Sequence, residues 1–212
     1  MTGLLTRDQA EKTRIMLGVL GAAEHNEPVS QRQLATDLGI ALGLANAYVK
    51  RCMKKGLLKV SQVPARRYSY YLTPEGFAEK ARLTAEYLSF SFSFFRQARH
   101  DCALVFAEAH RRGWTKMALV GRSEVAEIAV LCATEAQIEL VALIDNGSDV
   151  SHFVGRPVLK DCLALDGKVD GVVITAIADH RAARTSAIAA FGAGRVLVPA
   201  LLSPSAGRTD HD

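Results

Sequence analysis

Long apolar runs are missing from this chain. No stretch of about 18 uninterrupted hydrophobic residues occurs among its 212, which argues against a transmembrane helix and against a membrane partner. The opening MTGLLTRDQAEKTR has no apolar stretch followed by a small-residue cleavage site, so no secretory signal is expected and the protein is expected to be cytoplasmic. Cysteine is scarce. Cys52, Cys102, Cys132 and Cys162 form no CxxC pair, and no cluster of histidines stands near them at metal-ligand spacing. That pattern fits neither a disulfide scaffold nor a metal site, and it predicts reduced, buried thiols. A Tyr-x-x-x-Lys pair and a nucleophile–base–acid set are also lacking, and His152, His180 and His211 are scattered. Surface or loop roles are expected for them, and the chain is not expected to be an enzyme. Neither proline nor glycine occurs between Gly76 and Gly113, so nothing breaks a helix there.

What is present begins with an uneven charge. The formal net charge is +4, but residues 1–83 hold 13 Lys/Arg against seven Asp/Glu, and the remainder holds 13 against 15. The excess of cations in the first part points to an anionic partner for that part alone.

Local signals order the first third into three helices and a hairpin. A helix is expected over 6–24, with Thr6 and Gln9 as a capping box. After a break over 24–28, Ser30 opens a second helix, with Gln33 as its box partner, and Gly39 supplies the positive φ that ends it. A third helix covers about 41–55 and stops at Gly56. Leu57–Val63 and Tyr68–Leu72 read as strands around a turn at Pro64-Ala65-Arg66-Arg67. Helix, short turn with Gly, helix, then a basic hairpin is the pattern of a winged helix-turn-helix.

The third helix divides by face. Ala45, Tyr48, Val49 and Cys52 share an inward side, whereas Asn46, Lys50 and Lys54 follow at i, i+4, i+8 on another. At its start, Leu42 and Gly43 keep the helix slim enough to approach a groove. Asn46 has the chemistry to bond adenine, and Lys50 to meet guanine or phosphate. Arg51, Lys54 and Lys55 suit phosphates. So do Ser30, Gln31 and Arg32 at the start of the second helix, where backbone amides are free to donate. Arg66 and Arg67 at the wing tip are expected to enter a minor groove or clamp the backbone. Double-stranded DNA is the expected partner.

The segments SQRQLATDLGIALGLANAYVKRCMKKGLLKV and YYLTPEGFAEKARLTAEYL, within about residues 10–88, resemble MarR-type winged-helix regulators, in particular the subgroup associated with exopolysaccharide gene clusters. Ser30, Gln31, Leu34, Ala35, Leu38, Gly39, Ile40, Gly43, Asn46, Lys50, Lys55 and Gly56 carry the resemblance. It implies transcription regulation, with polysaccharide genes as targets. Ala41 departs from the family's serine cap, at a cost of about 1 kcal/mol, and Leu44 stands where a lysine is frequent.

Thr73-Pro74-Glu75 gives an N-cap, a proline at the first helical position and an acid in the first turn. A long helix follows. One stripe runs Phe77, Ala81, Leu88, Phe92, Phe95, Cys102, Val105, Ala109, and a second runs Leu83, Tyr87, Phe90, Phe94. Two apolar stripes imply burial on two sides, as in a homodimer. LSFSFSF over 88–94 alternates like a strand, but helical spacing continues on both sides, so helix is expected.

From Lys116 strands and helices alternate. Strands are expected at 117–120, 139–144, 156–159, 172–175 and 195–201, and helices at 123–134 and 179–191, which implies a parallel sheet with helices on its faces. In such sheets ligands bind beyond the strands' carboxyl ends, here Gly121-Arg122-Ser123, Asp145-Asn146 and Thr175. Asp145 follows Gly121 at the spacing of a ribose-binding acid. GRSEVA departs from a dinucleotide fingerprint at Ser123, whose hydroxyl is instead placed to donate to a phosphate. Two readings stay open: a nucleotide or nucleotide-sugar effector site, or a scaffold that binds none. Residues 117–159, through GRSEVAEIAV, LVALIDNG and VGRPVL, resemble the nucleotide-binding-like domain of polysaccharide-biosynthesis proteins such as sugar-nucleotide dehydratases and sugar acyltransferases. Their catalytic parts have no counterpart here.

The chain is therefore expected to be an α+β winged helix-turn-helix (1–74), a long linker and dimerisation helix (75–113), a small Rossmann-like α/β domain with a parallel sheet (114–202) and a flexible tail (203–212). The expected function is a dimeric regulator whose C-terminal domain senses a nucleotide-like metabolite or serves in dimerisation. The alternatives are a repressor resembling the Rex-type NADH sensors, and a nucleotide-sugar enzyme with a winged-helix interaction module.

Overall fold

The computed structural model describes residues 7–24, 30–63, 67–165 and 167–203, and the chain divides into two compact units, Met1–Ser93 and Phe94–Asp212. The Thr6 half of the first capping box, Arg66, His211 and the tail from 204 lie outside the described residues.

In the first unit, α1 (Arg7–Ala22), α2 (Gln31–Leu38) and α3 (Leu42–Lys54) precede the antiparallel pair β1 (Leu58–Val63) and β2 (Arg67–Leu72). Ile15, Val19 and Leu20 of α1, Leu34 of α2, Tyr48, Val49 and Cys52 of α3, and Leu58 and Tyr70 of the hairpin are buried together. Ser30 caps α2 by accepting from the Gln33 amide at 3.0 Å. The reciprocal half of the expected box is not made, because the Gln33 side chain donates to Asp37 Oδ1 at 2.7 Å, one turn on. Gly39, at φ 64, ends α2. Its amide donates to Thr36 O and that of Ile40 to Ala35 O, the paired bonds that satisfy a helix's last carbonyls.

Helix α4 (Pro74–Arg111) begins in this unit and continues into the second. Thr73 starts it: Oγ1 accepts from the Gly76 amide at 3.0 Å and donates to Gly56 O at 2.7 Å. Gly76 is required there, since a Cβ would overlap the carbonyl of Leu57. LSFSFSF is helical, as its surroundings dictate.

The second unit has a six-stranded sheet in the order β5 (His152–Phe153), β6 (Arg156–Leu159), β4 (Glu139–Ile144), β3 (Lys116–Val120), β7 (Gly171–Ile174), β8 (Val196–Leu197). All neighbours are parallel except β5 and β6. The chain therefore winds outward from β3 in one direction and returns to the other side of β3 at β7, a Rossmann-like order with its switch point between β3 and β7. Side chains alternate across the strands. Met117, Leu119, Leu140 and Val173 face the second half of α4 and α5 (Glu124–Glu135), with Ala98, Cys102, Phe106 and Ala109 of α4 in the same cluster. Ala118, Val120, Ala142, Val172 and Ile174 face Ala187 and Phe191 of α6 (His180–Phe191).

Three expectations change. The second half of the first α4 stripe, Cys102, Val105 and Ala109, is buried against its own unit's sheet. Of that stripe, Phe77, Leu88, Phe92 and Phe95 stay exposed. The last strand is only Val196–Leu197: Arg195 ends one short 3-10 turn (Ala193–Arg195), Val198 and Pro199 belong to no regular element, and a second 3-10 turn follows at Ala200–Leu202. The sheet also gains an antiparallel edge through the β5–β6 hairpin, whose turn puts Val154 and Gly155 at positive φ.

Candidate nucleic-acid interface and strand-end crevice

The exposed side of α3 carries a row of cations. Lys50, Arg51, Lys54 and Lys55 are exposed, and so are Arg32 on α2 and Lys59 on β1. None of these six makes a salt bridge among the described residues. Elsewhere in the unit Lys12 pairs with Asp8, Arg14 with Glu11, Lys80 with Glu24, and Arg82 with both Glu79 and Glu86. The pairing has an electrostatic signature: hydrogen bonds from Arg14 and Arg82 hold the Glu11 and Glu79 carboxyls below the usual range.

Burial on α3 falls on Ala45, Tyr48, Val49 and Cys52, so Gly43, Ala47, Lys50 and Lys54 lie along the opposite, exposed line. Asn46 is half-buried beside it. Leu42 and Leu44, 43% and 42% exposed, flank its start. No heavy atom lies within 4 Å of a Cβ built on Gly43, so packing does not demand a glycine there. The helix lacks a side-chain cap at Ala41, as the sequence implies. Ala47 and the exposed Leu44 are surface features that the i, i+4, i+8 reading of Asn46, Lys50 and Lys54 passed over. The spacing of 43, 47, 50 and 54, opposite the inward residues, was the available signal.

At the start of α2 the expected residues are partly engaged. Ser30 Oγ holds the Gln33 amide, and Gln31 Nε2 donates to Tyr70 Oη at 3.0 Å, tying the helix to the wing. Arg67 is the first residue of β2, and its side chain lies outside the described residues.

In the second unit, the crevice residues meet one another. Gly121, at φ 96, follows β3 so closely against Ala176 that no side chain fits. The fully buried Thr175 donates from Oγ1 to Gly121 O at 2.6 Å. Ser123 Oγ donates to Thr175 O at 2.5 Å and accepts from the amides of Val125 and Ala126 at 3.1 and 3.3 Å. This corrects the expected role of Ser123. Its proton is given to a protein carbonyl, and its oxygen takes the two amides at the start of α5 that a phosphate would need. Asp145 accepts from the Arg122 amide at 3.3 Å through Oδ2 and from the Gly147 amide at 3.1 Å through Oδ1. Asn146 is exposed. All these bonds sit at the switch point and the adjacent strand end, where a ligand of such a sheet would lie. A separate, shallow hollow of about 430 Å³ lies between α4 and α5, lined by Ala103, Phe106, Ala107, His110, Cys132, Glu135 and Ala136.

The thiols are held protonated by burial. Cys52 is pushed up to about 11 and Cys102 to about 12, and Cys132 and Cys162 move in the same direction. No group of three or more His, Cys, Asp or Glu among the described residues is arranged to hold a metal ion. No helix among them is long and apolar enough to cross a membrane.

Residues 12–59 match the family of winged helix-turn-helix DNA-binding domains. Among curated protein sequences, none matches this chain. Solved structures give partial likenesses. The Streptomyces coelicolor transcriptional regulator PcaV, in complex with its natural ligand, is 24% identical, with a TM-score of 0.37, over 51% of this chain and 74% of its own. MepR, a transcription regulator of the Staphylococcus aureus multidrug efflux pump MepA, is 14% identical, with a TM-score of 0.34, over 42% and 76%. Human N-acetylserotonin methyltransferase is 12% identical, with a TM-score of 0.33, over 78% and 66%. Taken with the trihelix, the hairpin and the sheet order, the family match assigns the first unit to the winged helix-turn-helix DNA-binding fold, followed in the chain by α4 and a Rossmann-like α/β unit.

Proposed function

We propose that this chain is a sequence-specific, dimeric, MarR-like transcription regulator rather than an enzyme. The observation that carries the reading is the set of exposed cations on α3 that make no salt bridge among the described residues, on the element that a winged helix presents to DNA. Surface lysines in a structural role commonly find carboxylates, as Lys12 and Lys80 do. Those of α3 are left for phosphates. Control of polysaccharide genes belongs to this proposal through the sequence resemblance alone.

For the α/β unit we favour a scaffold and assembly role over sensing of a nucleotide or nucleotide sugar. Support comes from Ser123 and Asp145, whose hydrogen bonds turn inward to Thr175, Val125, Ala126, Arg122 and Gly147. The same closure speaks against an NADH-responsive repressor. Dimerisation is supported by Leu88, Phe92 and Phe95, which remain exposed on a helix that has no reason of its own to display them.

The test is a binding titration of the full chain against duplex DNA at several salt concentrations. Affinity should fall steeply with salt. Lys50→Ala and Lys54→Ala should each reduce the slope of log affinity against log salt by about one. Affinity that is flat in salt, or variants that match the parent, would contradict the assignment.

A further inference from the structure

We infer that α3 reads A·T base pairs, with Leu42, Leu44 and Ala47 meeting thymine methyl groups and Asn46 meeting adenine in the major groove of an A·T-rich half-site. This rests on the DNA-binding reading above and adds what the helix recognises.

A gradient of charge runs along α3. Residues 42–49, LGLANAYV, hold no charged side chain, whereas residues 50–55, KRCMKK, hold four cations. In a helix-turn-helix the N-terminal part of the recognition helix meets base edges and the flanking parts meet the backbone. The base-facing half is therefore apolar apart from Asn46, and the phosphate-facing half is basic. That charge distribution fixes the orientation of the helix against a duplex.

The outward line of the apolar half is small. Gly43 and Ala47 lead it, with nothing within 4 Å of a Cβ at Gly43, so the helix axis can come close to the groove floor. On either side stand Leu42 and Leu44, 43% and 42% exposed, which the protein core does not use. In the major groove only thymine offers an apolar group, its C5 methyl. Guanine is read by arginine or lysine, and adenine by the bidentate amide of asparagine or glutamine. Residues 42–49 contain no arginine, no lysine and one asparagine. Leucines pressed on G·C edges would strip water from O6, N7 and N4 and give no hydrogen bond in return. On A·T pairs the same side chains cover methyls, and Asn46 satisfies an adenine.

The test uses the full chain and needs no variant to begin. Sites selected from a random duplex library should share A·T pairs at the half-site centre. Replacing thymine by deoxyuridine at those positions removes only the methyl, and should weaken binding by about fourfold per contacted base. Leu44→Ala and Leu42→Ala, both at exposed positions, should lower affinity for the thymine duplex, and at least one of them should lose sensitivity to deoxyuridine. Asn46→Ala should relax the preference for adenine. A selected consensus centred on G·C pairs, or a deoxyuridine duplex bound as tightly as its thymine parent, overturns the A·T readout while leaving DNA binding intact. Absence of salt-dependent binding to any duplex overturns both.

Discussion

Gln137 stands at φ 56, just past the C-terminus of α5. Its amide donates to Thr134 O and that of Ile138 to Ala133 O. The same pair of bonds ends α2 at Gly39, α3 at Gly56 and α4 at Gly113. Three of these ends use the residue that adopts positive φ without penalty, and the fourth carries a side chain there. Gln137 is exposed, so Gln137→Gly should stabilise the second unit by about 1 kcal/mol in urea unfolding. Gly76 is the opposite case, because its missing Cβ is filled by the Leu57 carbonyl. Gly76→Ala should cost about 2 kcal/mol of the first unit's stability. Asp170 carries a pH signature. Its carboxylate accepts from the amides of Lys116 and Thr115 at 2.8 and 2.7 Å, which lowers its pKa. A lowered folded-state pKa gives stability that is present above the ordinary aspartate range and lost as pH falls through the folded value. Asp170→Asn should therefore be less stable at neutral pH, and its melting temperature should fall less than the parent's on acidification below about pH 4.

Among the elements, α4 shows how far periodicity reaches and where it stops. Its start at Thr73-Pro74, its end at Gly113 and its helical LSFSFSF segment were all legible, because caps and breakers act on neighbours in sequence. What periodicity did not tell was which partner each stripe meets, since a buried face looks the same whether it covers a sheet or another subunit. Cys102, Val105 and Ala109 went to the sheet. Leu88, Phe92 and Phe95 are left, Phe92 being 58% exposed. Phe92→Glu combined with Phe95→Glu should convert a sedimenting dimer into monomer without lowering helical content, whereas a parent protein that sediments as a monomer at micromolar concentration would remove the basis for a dimer. Of the β5–β6 hairpin only the second strand was read, at 156–159: β5 is two residues long, and of the two positive-φ turn residues only Gly155 is a turn former, Val154 at φ 46 being β-branched. At the candidate site the inward and outward faces of α3 were legible from spacing. The destination of the Ser123 proton was not, because Thr175 lies 52 positions away.

At the scale of the whole molecule, the buried residues form one cluster in the first unit and two, one on each side of the sheet, in the second. Each of the two compact units thus has buried residues of its own. Heat should therefore unfold the chain in more than one step. Calorimetry of Gly76→Ala should shift only the step that belongs to the first unit, and a single shifted transition would show the units to be energetically fused. The closed crevice has its own consequence, for time rather than for binding. Loops at the strand ends of a ligand-binding sheet commonly open on their own, and their amides exchange with solvent quickly until a ligand holds them. Here the amides of Val125, Ala126 and Gly147 already have side-chain acceptors in Ser123 and Asp145. In deuterated water, with nothing bound, they should exchange as slowly as the sheet behind them, and Ser123→Ala should release Val125 and Ala126 to the rate of an open loop.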